Sequence, residues 1–141
     1  MEKRIDLENI SHENLVDLLC TATYGSEWLE IKTLKSERFM DEEVEQSVRD
    51  EWSCEDKWAN RLLKGGHIVC LDYEDDDADE FALMPRPARY ELTLDDIKKG
   101  LIKARDGEAV RDWADFCEEN DDYFTCNNLM QVCIFGEVIY G

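Results

Sequence analysis

The sequence predicts an α+β fold: one domain over residues 1–141, with about five helices packed on a small antiparallel sheet of two or three strands. Three observations lead there. A length of 141 residues fits one ordinary domain. A hydrophobic share of 43% with 10% aromatics supplies a core that acidic disordered chains lack. Segments of helical apolar spacing and short β-type runs follow one another without the strict alternation of βαβ units.

Ser11 is a good helix N-cap, and after it Leu15, Val16, Leu18, Leu19 and Ala22 fall on one side before Gly25 ends the helix. Residues 27–33 read as a short strand on Trp28, Leu29 and Ile31. From Asp41 to Glu51 carboxylates dominate, and Val44 with Val48 is the single apolar pair at helical spacing, so this stretch is a helix with a thin seam or no helix. Ser53 caps the next helix, with Glu55 and Asp56 in its first turn, Trp58, Leu62 and Leu63 on its apolar side and Gly65-Gly66 as its stop. His67 to Tyr73 then forms a strand around Ile68-Val69-Cys70-Leu71.

Seven of the nine residues from Asp72 to Glu80 are acidic, and Met84-Pro85-Arg86-Pro87 breaks regular structure soon after. Ala88 to Leu92 pairs back as a strand, which makes the acidic run the exposed tip of a long hairpin. Thr93 caps a helix over Leu94 to Ala104, with Asp95 and Asp96 at the positive end of its dipole. Between Glu108 and Glu119, Val110, Trp113, Ala114 and Cys117 stand at i, i+3, i+4 and i+7 of an amphipathic helix. Thr125 to Phe135 is apolar nearly all round and runs through the core, Gly136 breaks it, and Val138-Ile139-Tyr140 follows as a tail or edge strand.

The charge decides more about function than any motif. Sixteen Lys and Arg against 35 Asp and Glu leave a net charge of −19, which repels nucleic-acid phosphates and anionic lipid. No apolar run approaches the ~20 residues of a membrane span, and the start MEKRIDLENI lacks a signal-peptide core, so a cytoplasmic chain is expected. The six cysteines form no C-x-x-C pair and are read as reduced thiols. His12 and His67, the only histidines, suit surface or capping roles. Nucleophile elbow, zinc-protease and P-loop motifs are missing, and Gly65-Gly66 precedes a strand where a phosphate loop would open a helix. No register of the acidic run places glycine sixth and glutamate twelfth, as an EF-hand requires. The expectation is a non-enzymatic protein with no metal and no cofactor.

Asp72, Glu74, Asp75, Asp76, Asp77, Asp79 and Glu80 therefore become the first candidate partner-binding patch, and Asp41, Glu42, Glu43 and Glu45 the second. Trp58 and Trp113 fit helix seams, whereas Trp52, flanked by Asp50, Glu51 and Glu55, is the tryptophan expected to anchor a basic partner. A compact chain of this size is about 37 Å across, and duplex DNA of that length carries on the order of 22 phosphate charges, the same order as this chain's net charge. Two readings of the carboxylates stand side by side, a solvated solubilising surface and a recognition surface on which they replace phosphates.

Four stretches bear on kinship: DLLCTATYG at 17–25, LLKGG at 62–66, and TLDDIKKGL at 93–101 answered by QVCIFGEVIYG at 131–141. Together they resemble a group of small acidic proteins carried by phages and conjugative elements of gut bacteria. The resemblance implies a setting rich in anti-defence proteins, including anti-CRISPR inhibitors of Cas9-type nucleases and antirestriction DNA mimics, and it carries over no catalytic or binding residue. The expected partner is a basic host protein, a CRISPR nuclease being the leading case, with no direct nucleic-acid or membrane contact. The alternative is a regulatory interaction module of the mobile element, self-associating as a homodimer through Val138, Ile139 and Tyr140.

Overall fold

The computed structural model describes residues 5–76 and 87–140. Ser11 accepts from the Asn14 amide and opens α1, His12–Thr23, as its side-chain chemistry predicts. After Gly25, at φ +73°, the chain enters β1, Leu29–Lys32. The doubtful acidic stretch is neither one helix nor loop. A 3-10 turn at Lys35–Glu37 leads into two single-turn helices, α2 at Phe39–Glu42 and α3 at Gln46–Arg49.

Ser53 then opens α4, Cys54–Leu63, through a capping box closed by Asp56. Strands β2, Ile68–Asp76, and β3, Pro87–Leu92, follow. A second capping box, Thr93 with Asp96, starts α5, Leu94–Lys103. A π-type turn over Ala104–Glu108 joins it to α6, Val110–Cys117. The last helix, α7, spans Tyr123–Phe135; Asp122 caps it, two to three residues ahead of the expected Thr125 start, and Gly136 closes it in the left-handed conformation.

The sheet has the order β1-β2-β3, antiparallel throughout, with Ile31 opposite Cys70 and Cys70 opposite Tyr90. This is the α+β architecture the sequence predicts, with three strands and seven α-helices among the described residues. Helix α7 is its axis and packs on α1, α5 and α6. Gly100 permits the close approach of α5, because a Cβ there would overlap the Cys133 backbone on α7.

Two helix expectations need correction: Leu63, expected on the apolar side of α4, is 42% exposed, and the inward stripe of α6 is shifted. Along α6 and the Ala109 that precedes it, the inward residues are Ala109, half-buried Trp113 and Phe116, while Val110 is 54% exposed and Ala114 is exposed. Residues 109, 113 and 116 form an i, i+4, i+7 stripe as sound as the expected one, and the turn before α6 selects it because Phe116 buries more apolar area than Cys117. Of the two readings of the chain end, tail or edge strand, the structure has the tail. Gln131, itself buried, accepts from the Ile139 and Tyr140 amides on Oε1 and donates Nε2 to the Tyr140 carbonyl, so one side chain replaces a strand partner.

Candidate partner-binding surface

The structure sorts the carboxylates singled out in the sequence into buried and exposed groups. Asp72 leaves the candidate patch: it is 1% exposed and accepts the Tyr140 hydroxyl at 2.7 Å and the Glu74 amide at 3.0 Å. The period of two that turns Ile68 and Cys70 inward along β2 turns Asp72 inward with them. Asp41 is also a correction. Its two oxygens take Arg61 Nε at 2.7 Å and Nη2 at 2.8 Å in a buried bidentate pair, while Arg61 Nη1 holds the Leu34 carbonyl. Burial pushes the Asp41 carboxyl up, but the hydrogen bond and charge of Arg61 outweigh it and hold the group below the usual aspartate value.

Glu42, Glu43, Glu45 and Glu74 remain on the surface, Glu43 sharing Lys64 at 3.0 Å. Asp77, Asp79 and Glu80 lie outside the described residues, as do the side chains of Asp75 and Asp76. Trp52 is half-buried, its ring 6.3 Å from that of His12. Its setting differs from the acidic one its sequence neighbours suggest, since Arg38, Arg49 and Lys57 line the same cleft.

Glu74 of β2 lines a second cleft, of about 510 Å³, whose walls come from four segments. The turn after α1 supplies Gly25 and Glu27, β2 supplies Glu74, α7 supplies Tyr123 and the tail supplies Ile139 and Tyr140 over Trp28. A polar network fixes this geometry. The Trp28 indole donates to Asn127 Oδ1 at 3.0 Å, Asn127 Nδ2 donates to the Ala22 carbonyl at 3.0 Å, and Gln131 bonds both Asn127 and the tail. The Tyr140 ring packs tilted against Trp28 with centroids 5.0 Å apart, and the Tyr123 hydroxyl meets Ser26 at 3.3 Å. Glu27 and Glu74 are exposed at the rim, and no lysine, arginine or histidine lines the cleft among the described residues. Aromatic walls with carboxylates at the mouth suit the stem and head of a basic side chain.

A further acidic surface went unmarked in the sequence. From Asp106 to Asp122 eight carboxylates stand against one arginine, Arg111, but helical apolar residues separate them and hide the density. Burial first, then the charges of Asp115 and Asp122, push the Asp112 carboxyl up, although Asn128 donates to it. Asp122 moves the other way because the Thr125 amide donates to it at the start of α7. This corner ends at Asp121-Asp122, directly before the cleft residue Tyr123. No protein-family model matches the chain, and comparison with curated proteins and with solved structures finds no similar protein. Among the described residues no cluster of His, Cys, Asp and Glu is placed to hold a metal ion, and no helix is long and apolar enough to cross a membrane.

The C-terminal residues expected at a homodimer contact are largely engaged within the chain. Tyr140 packs on Trp28 and Phe135, Val138 sits against the core, and Ile139 alone of the three is exposed, at 46%.

Proposed function

We propose that this protein is an anti-defence inhibitor that occupies a cationic, nucleic-acid-binding surface of a host nuclease of the Cas9 type. The observation that carries the reading is the acidic, aromatic-walled cleft, where Glu74 of the β2 run and Glu27 flank Tyr123, the residue that follows the acidic corner. Nucleases of this type hold their heteroduplex in a positive channel and read a short duplex motif with arginines. A domain carrying −19 is steered toward such a channel, and its tyrosines receive the arginine stems once the charges meet. Phage or conjugative-element kinship, implied by the resemblance in the sequence, supports the same assignment.

The test is competition. Purified protein is added to a panel of Cas9-type ribonucleoproteins, and binding of target duplex and its cleavage are followed together. The proposal expects at least one effector whose DNA binding falls in proportion to inhibitor bound, with an effect that weakens steeply as salt rises. Binding that leaves DNA occupancy unchanged, or inhibition insensitive to salt, contradicts it. In a mobility-shift titration the protein alone should leave duplex DNA unshifted.

A further inference from the structure

We propose that the cleft between α2, α3 and the start of α4 is a mononucleotide site, with the phosphate held by Arg38, Arg49 and Lys57 and the base laid against Trp52. The cleft has a volume of about 330 Å³. In a chain of −19 its lining carries three cations, Arg38, Arg49 and Lys57, against two carboxylates, Asp41 and Glu42. Of the two carboxylates, Asp41 is paired with Arg61 and also feels the charge of Lys57, which leaves Arg38 and Arg49, with part of the Lys57 charge, against Glu42.

The side chains differ in how firmly they are set. Arg49 is pre-positioned, donating Nε to the Val44 carbonyl at 3.0 Å and Nη2 to Gln46 at 2.8 Å. Arg38 and Lys57 are exposed, and neither makes a side-chain hydrogen bond or ion pair with a described residue. The buried Asp41–Arg61 pair ties the floor of the cleft, on α2, to α4. Two guanidinium groups and an ammonium exceed what a single carboxylate needs and match a phosphate dianion. Trp52 adds an aromatic surface on which a planar base stacks. The net charge does not by itself prevent this, because at physiological salt the repulsion of exposed carboxylates fades over about 8 Å, and half-buried Arg49 is screened less than a surface charge.

The site stands apart from the cleft at Glu27 and Glu74 and does not depend on the inhibitor reading. Its test uses the whole chain at physiological salt, with calorimetric titration of adenosine monophosphate, inorganic phosphate and adenosine. Alkylation of Cys54, an exposed thiol lining the cleft, is followed in parallel by peptide mass spectrometry. The nucleotide is expected to bind roughly tenfold tighter than phosphate alone, as base stacking implies, and to slow Cys54 alkylation. Lys57→Ala and Arg38→Ala, both at exposed positions, should each weaken it several-fold with the circular dichroism unchanged. Trp52→Ala should reduce the nucleotide to the affinity of phosphate, and Trp52→Phe should restore part of the difference. No heat and no Cys54 protection at about 10 mM nucleotide overturns the proposal. So does equal binding of phosphate and nucleotide that Trp52→Ala leaves unaltered, which would mark an unspecific anion patch.

Discussion

Replacing Asp41 by alanine leaves the Arg61 guanidinium, 3% exposed, with the Leu34 carbonyl but without its two carboxylate contacts at 2.7 and 2.8 Å. Removing one partner of a buried pair costs about 3–5 kcal/mol, because the other charge stays in a medium that cannot solvate it. A domain of this size loses roughly 3 °C of melting temperature per kcal/mol, so calorimetry or circular dichroism should show a drop of about 10–15 °C. Replacing both residues, Asp41→Leu with Arg61→Met, removes the buried charge altogether and should recover most of that loss. The acid limb carries a second signature. The folded pKa of Asp41 lies below its unfolded value of about 3.9, so its contribution is complete above that value and disappears as pH falls through the lower, folded one. Asp41→Ala should therefore flatten the decline of stability below pH 4. A loss under about 1 kcal/mol, the scale of an exposed ion pair, would refute the burial of this pair.

Three further outcomes follow from the packing and the charge. Gly100→Ala drives a Cβ into the Cys133 backbone and should destabilise by about 1–3 kcal/mol in a urea titration, since α5 and α7 must separate. Gln131→Leu deprives the Ile139 and Tyr140 amides of their acceptor, and hydrogen exchange at these two amides should accelerate to that of open chain while α1 and α5 stay protected. Converting Asp75, Asp76, Asp77 and Asp79 together to Asn should slow association with the nuclease partner in surface-binding kinetics, with dissociation little changed.

Most of the fold was legible because its punctuation is local. Ser11, Ser53 and Thr93 each place a side-chain oxygen on an amide three residues ahead, and the Ser53–Asp56 and Thr93–Asp96 pairs close reciprocally within one turn. The single-turn helices α2 and α3 were not legible, as Val44 and Val48 bury too little to define a seam, and what holds α2 is Arg61 from twenty residues away. Burial of Asp72 was written in the strand period, yet its hydroxyl partner Tyr140 lies 68 residues further on. The aromatic cleft was invisible for the same reason: its walls come from four separated segments, and the tail is brought beside Trp28 by the Gln131–Asn127 network together with the Tyr140 contacts to Asp72 and Trp28. The acidic corner could have been found by counting charge over residues 106–122 without regard to helical spacing.

The most direct test of the inhibitor account is the association rate of a Glu27→Gln, Glu74→Gln double variant with the nuclease effector found by competition. Both residues are exposed and neither has an ion-pair partner among the described residues, so the fold should be untouched. The account expects association slowed roughly tenfold at low salt and a shallower dependence on ionic strength than the parent chain shows. Parent-like association at every salt concentration would contradict it.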